Sequence, residues 1–149
     1  MHPYYCSVSF RIFHPKFSAD EICKKIGLIA YRKWTVGQPK TTIKGQLLKG
    51  VNAETFCIFH LIPTRKIGLE EFVGLSMTRI AVHKKYLDDL CATGGRLELY
   101  VSCFLNKNSG MVFDWKKLSG IADCRIALVF DLFPENRKIR DLPKNFFRG

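Results

Sequence analysis

Two stretches of this chain carry the same local pattern, with Phe17 and Phe113, Ser18 and Asp114, and Ile22 and Leu118 each 96 residues apart. In the first, YCSVSFRIF (5–13) alternates, placing Val8, Phe10 and Ile12 on one side and Ser7, Ser9 and Arg11 on the other. Period two is the pattern of a strand with one buried face. FSADEICKKIGL follows, where Ser18 is a natural N-cap, Glu21 completes a capping box, Phe17 and Ile22 form a hydrophobic staple and Gly27 stops the helix. In the second, RLELYVSCFL (96–105) puts Leu97, Leu99, Val101 and Cys103 on one side. FDWKKLSGIADC then repeats the staple and cap with Phe113, Asp114 and Leu118. The pattern predicts two related strand-loop-helix units.

The segments between them narrow the fold class. TTIKGQLLKG and ETFCIFHLI are expected to pair as antiparallel strands joined around residues 50–54. Leu69, Phe72, Val73, Ile80, Leu87 and Leu90 recur near the helical period, predicting one longer helix that ATGG closes. CRIALVFDLF (124–133) is apolar almost throughout, as a central strand would be, and Pro134 ends it. The reading is α+β: a mostly antiparallel sheet with helices packed on it, and two ferredoxin-like strand-loop-helix halves would fit. Residues 1–134 are read as one domain and 135–149 as a basic C-terminal tail.

The 149 residues suffice for one domain with a real core, and 47% apolar with 13% aromatic content argues against disorder. Six cysteines (Cys6, Cys23, Cys57, Cys91, Cys103, Cys124) show no C-x-x-C spacing and sit mainly in apolar runs, so reduced, buried thiols are expected. The opening MHPYYCSVSF lacks a charged region followed by a long apolar stretch, and no apolar run approaches the ~20 residues a membrane span needs. A cytoplasmic protein is expected, without membrane association.

The runs F-x-I-x-x-x-x-F-S-x-x-E-I-x-x-x-I-G-L, W-T-V-G-Q-P, L-E-L-Y-V-S-C-F and I-A-L-V-F-D-L-F-P lie within residues 5–134. Together they resemble the bacterial domain-of-unknown-function 4279 family. That resemblance implies an intracellular α+β domain without assigned chemistry, and a place in bacterial conflict systems such as toxin immunity or phage defence.

No catalytic signature stands out. Of His2, His14, His60 and His83, only His60 runs in phase with apolar neighbours (Phe56, Ile58, Ile62), which reads as a structural histidine. Neither H-x-x-x-H nor C-x-x-C occurs, so no metal site is expected. CATGGR lacks the frame of a P-loop, and no cofactor is expected. Glu70–Glu71 and Asp88–Asp89 read as surface and capping charges, since adjacent helix positions point apart. Asp131, alone in an apolar strand, reads as half of a structural ion pair or the wall of a pocket.

The formal charge of +11 is unevenly spread. Residues 30–50 hold five cations (Arg32, Lys33, Lys40, Lys44, Lys49) and no carboxylate, while residues 135–149 hold five against two. Arg32, Lys33, Trp34, Lys40, Lys44 and Lys49, joined by Arg137, Lys138 and Arg140, form the expected binding face. Cations would neutralise phosphates, and Trp34 would either stack a base or plug the space between helix and sheet. The leading expectation is a non-enzymatic intracellular binding module for an anionic partner, nucleic acid or a ribonucleoprotein. The alternative is a protein-interaction or immunity-type domain that docks on one protein partner, with Tyr4, Tyr5, Phe146 and Phe147 as anchors, so the partner expected is nucleic acid or an acidic protein. A nucleotide pocket or enzyme is the third reading.

Overall fold

The computed structural model describes residues 4–105 and 110–134. The chain runs β1 (Tyr4–His14), α1 (Ala19–Ile26), β2 (Arg32–Trp34), β3 (Pro39–Thr41), β4 (Leu47–Val51) and β5 (Thr55–Ile67). It continues as α2 (Leu69–Ala81), α3 (Lys84–Ala92), β6 (Arg96–Leu105), α4 (Trp115–Asp123) and β7 (Ile126–Pro134). Five strands form one sheet in the order β2-β5-β1-β6-β7, and β3 and β4 form a separate two-stranded ribbon. Only β6 and β7 run parallel, joined by α4; the other pairs are antiparallel. The α+β class stands.

The two predicted units share this sheet, with β1 and β6 adjacent at its centre. Their caps form as the local sequence dictates. Ser18 Oγ accepts the Glu21 N–H at 3.2 Å, Asp114 Oδ1 accepts the Lys117 N–H at 2.9 Å, and Gly27 closes α1 in the left-handed region at φ 70°.

Alternation decides the layers. Val8, Phe10 and Ile12 of β1 and Leu97, Leu99, Val101 and Cys103 of β6 meet Ile22, Phe72, Ile80, Leu87, Leu90 and Ile121 from the helices in one buried core. No described helix packs on the opposite face of the sheet, which carries Ser7, Ser9, Arg11 and Phe13 of β1 and Glu98, Tyr100 and Ser102 of β6.

Four expectations change. CRIALVFDLF is not a central strand: among the described residues β7 pairs with β6 alone and stands at the end of the sheet, its apolar content spent on packing against α4 and β6. The strand TTIKGQLLKG does not pair with ETFCIFHLI: β4 pairs with β3, while β5 takes β1 on one side and β2 on the other. Leu47 and Leu48 are neighbours, so a strand holding both cannot bury both against one sheet. The long helix breaks at Val82–His83 into α2 and α3, a break that no Pro or Gly marks. Glu70 is buried rather than a surface charge, and its Oε1 accepts the Val112 N–H at 3.1 Å, tying the approach to α4 against α2.

Candidate interaction surface

The basic stretch of residues 30–50 is cut into three by the pleat and by one hairpin. Successive side chains of β2 point to opposite faces. Lys33, opposite Cys57, turns to the helix side, where its Nζ meets Asp20 Oδ1 at 2.6 Å. That hydrogen bond holds the Lys33 ammonium above its ordinary pKa, against slight burial. Arg32 and Trp34 turn to the helix-free face, away from the core.

Trp34 is therefore neither a plug between helix and sheet nor fully exposed. It is half-buried, with its ring 4.4 Å from that of Phe56, and Phe56 lies 5.0 Å from Phe13. Arg32 stands 5.1 Å from the indole and Arg96 stands 4.5 Å from the Phe13 ring. The same face continues with Tyr31 against His60 at 4.1 Å and Ser9 Oγ at 2.9 Å from His60 Nδ1. Burial lowers the His60 pKa. Further along, Arg11 covers the Tyr100 ring at 3.5 Å, and the Tyr100 hydroxyl donates to Asp131. Asp131 thus answers a tyrosine, not a buried arginine. This face is rich in aromatic rings yet electrically balanced, because Glu54 binds Arg96 at 2.9 Å and Glu98 stands 4.0 Å from Arg11.

The remaining three predicted cations stand together elsewhere. Lys40, Lys44 and Lys49 all lie on the β3–β4 hairpin, a slender arm that leaves the sheet beyond β2. The arm turns through Thr42–Gln46, where the Gly45 N–H donates to the Thr42 carbonyl at 2.9 Å and Gly45 adopts φ 82°. At its base Asn52 exchanges backbone hydrogen bonds with Gly37 and Gln38, both 2.9 Å, while its side-chain amide donates to the Thr35 carbonyl at 3.1 Å.

The described residues cover almost nothing of the arm. Every residue from Pro39 to Val51 is exposed except Thr42, which is intermediate. Four aliphatic side chains share that exposure: Ile43 at 72%, Leu47 at 76%, Leu48 at 51% and Val51 at 56%. Leu47 stands opposite Thr41 and Val51 opposite Pro39 with the pairing irregular between them, Leu48 follows Leu47, and Ile43 sits in the turn beside Lys44. No carboxylate occurs between Gln38 and Ala53.

Residues 2–134 match the model of a family described as a domain of unknown function, DUF4279. The chain belongs to that family. No curated protein and no solved structure matches it. Within this DUF4279 domain the functional readings rest on its own residues.

Arg137, Lys138, Arg140, Phe146 and Phe147 lie outside the described residues, as does the side chain of Tyr4; Tyr5 is half exposed on the helix-free face. A hollow of about 400 Å³ opens beside Lys25, His83, Lys85 and Tyr86, with Asp89 on its rim. Among the described residues no three His, Cys, Asp or Glu side chains gather as metal ligands. No described helix is long and apolar enough to cross a membrane. The sequence signal for the arm was present but unread: exposed aliphatics beside lysines look like an ordinary strand until its neighbours are known.

Proposed function

We propose that this DUF4279 domain is a non-enzymatic docking module whose β3–β4 arm captures an acidic protein surface. The observation that carries this reading is the pairing of four exposed aliphatic side chains with Lys40, Lys44 and Lys49 on one carboxylate-free hairpin. Exposed aliphatic surface of this kind marks interaction sites in soluble domains. The lysines favour an acidic partner and exclude a basic one. A protein fits better than nucleic acid, because Ile43, Leu47, Leu48 and Val51 have no complement on a phosphate backbone. It also fits better than a lipid surface, because the aliphatics run along the ribbon from the turn to the base instead of clustering at the tip. An immunity role is the same reading with a toxin as the captured protein.

The test is selection from a displayed peptide library by the immobilised domain. Enrichment of peptides that combine acids with large apolar residues supports the reading. Binding should fall about tenfold or more in Ile43→Ser/Leu47→Ser and, separately, in Lys40→Glu/Lys44→Glu/Lys49→Glu. Enriched peptides that bind both variants unchanged would sink it, as would preferential binding to anionic vesicles.

A second reading keeps nucleic acid, on the observation that Arg32 stands over Trp34 within an aromatic row on the helix-free face. Glu54, Glu98 and Asp131 on that face oppose phosphate, which places this reading second. Fluorescence anisotropy with single-stranded RNA and DNA at several salt concentrations tests it. A steep log-log salt slope that Trp34→Ala abolishes would promote it, and no binding at low salt would retire it.

A further inference from the structure

The six cysteines are free thiols, and the fold places them differently. Cys6 and Cys103 stand directly opposite each other on β1 and β6, and both are fully buried. Cys23 of α1 and Cys57 of β5 instead combine a half-buried thiol with a fully buried one. A sulfur that an oxidant can reach, beside one that it cannot, suits a redox pair in which the outer thiol reacts and the inner one resolves.

The helix period brings the two together. Cys57 belongs to the core on the helix side of β5, and its thiol donates to the Ala19 carbonyl oxygen at 3.9 Å. Cys23 lies four residues beyond Ala19, one turn on along the same face of α1. Helical side chains lean back toward the N-terminus, so the Cys23 thiol leans toward Ala19 and the sulfur that Ala19 holds.

Charge and burial then separate the roles. Lys33 stands directly opposite Cys57 on β2, and its ammonium, 2.6 Å from Asp20 Oδ1, is close enough for both sulfurs to act on it. Burial is the main cause that raises the Cys57 pKa; the neighbouring Cys23 raises it further and Lys33 opposes. Cys57 therefore keeps its proton at neutral pH, and the first attack on an oxidant falls to Cys23.

We propose that Cys23 and Cys57 are a reversible disulfide-forming pair whose oxidant is a peroxide. The Cys23 sulfur attacks the O–O bond of hydrogen peroxide, keeps one oxygen as a sulfenic acid and releases the other as water. The Cys57 sulfur then attacks the Cys23 sulfur. The S–S bond forms, the S–O bond breaks, and the departing hydroxide takes the Cys57 proton as a second water. Two thiols and one peroxide thus become one disulfide and two waters. Two equivalents of a small thiol restore the pair by exchange and leave as their own disulfide. The ring so closed spans residues 23–57, which include β2 and the whole β3–β4 arm. Oxidation therefore fastens α1 to β5 across the segment that carries the arm, whatever the arm captures. A disulfide restricts the unfolded chain, so the oxidised domain is also the harder to unfold.

The test treats the folded full chain with hydrogen peroxide, blocks the remaining thiols under denaturing conditions and maps tryptic peptides without reduction. The expected product joins peptide 17–24, which holds Cys23, to peptide 50–65, which holds Cys57, within one chain. A small thiol should release it, and Cys6 and Cys103 should remain free, since both are out of the oxidant's reach. The urea midpoint of the wild type should rise on oxidation, and that rise should be lost in Cys23→Ser. In Cys57→Ser the reaction should stop at a Cys23 sulfenic acid that dimedone traps. The wild-type peptide map needs no variant to fold. Absence of the 17–24 to 50–65 link at excess peroxide overturns the proposal. So does a Cys6–Cys103 link formed in its place, or a Cys23–Cys57 link found only between two chains.

Discussion

The hydroxyl of Thr55 donates to the carbonyl oxygen of Phe17 at 2.6 Å while accepting the Val36 N–H at 2.9 Å. Thr55 is fully buried at the start of β5, Phe17 immediately precedes the N-cap of α1, and Val36 lies between β2 and the arm. One side chain thus sets where the first helix begins and where the arm leaves the sheet. Thr35, next to Val36, reinforces the junction by accepting the Ala19 N–H at 3.0 Å.

Replacing Thr55 by Val keeps the shape but leaves the Phe17 carbonyl and the Val36 N–H without their partner. Stability should fall by about 2 kcal/mol, because buried polar groups lose their hydrogen bonds. Urea denaturation measures this. An unchanged midpoint would mean that water replaces the hydroxyl at no cost.

Gly95→Ala should be destabilising by about 1–3 kcal/mol, as overpacked core sites are. A Cβ at this position would lie 2.7 Å from the Leu90 carbonyl oxygen and 3.0 Å from the His14 ring, and the first of these is backbone that cannot swing aside. Gly95→Ser should cost at least as much. Thermal unfolding of both variants checks the ranking.

Stability should depend on pH through His14. Its ring is fully buried, stacked on Phe17 at 4.0 Å, with Nδ1 accepting the N–H groups of Lys16 and Phe17 and Nε2 bonded to Thr93 Oγ1. A ring that accepts two N–H bonds at Nδ1 must be neutral, with its proton on Nε2. Burial is the main cause that pushes its pKa below the ordinary histidine value; Glu21 opposes and Lys16 assists. The unfolded chain therefore binds a proton that the folded chain refuses. The stabilisation is fully present above the unfolded pKa of about 6.5 and is lost as pH falls below it towards the lower folded value. His60, lowered by its own burial, acts in the same direction. The urea midpoint should drop between about pH 7.5 and about pH 5.5. His14→Asn should flatten part of that drop at reduced overall stability, while a flat wild-type profile would contradict a neutral buried ring.

The arm should behave as surface. Ile43→Ser, Leu47→Ser and Leu48→Ser should each change stability by no more than about 0.5 kcal/mol, since none packs on the core. Denaturation of the three single variants is the measurement. A loss of 2 kcal/mol or more at any site, about that of burying a large aliphatic side chain, would show that the arm is packed in solution.

Much of the fold was legible because it rests on short-range physics. Alternation in YCSVSFRIF and RLELYVSCFL specifies strands with one apolar face, and Ser18 and Asp114 cap helices through N–H groups three residues away. Such signals need no knowledge of what lies across the sheet. The long helix was legible as apolar spacing, but its break at His83 was not, since the local sequence carries no breaker there.

The candidate site was legible only as composition. By itself the sequence determined the α+β class, the two capped units, the core-facing residues of β1 and β6, and a run of five cations without a carboxylate. Only the tertiary structure decided that Lys33 turns to Asp20, that Arg32 joins Trp34 on the helix-free face, and that Lys40, Lys44 and Lys49 stand on a separate ribbon with exposed aliphatics. The reason is that a strand's pattern says it has two faces, not which neighbour claims each. That choice was made at β5, which pairs with β1 on one side and Arg32–Trp34 on the other and leaves Leu47–Val51 to pair with β3 outside the five-stranded sheet.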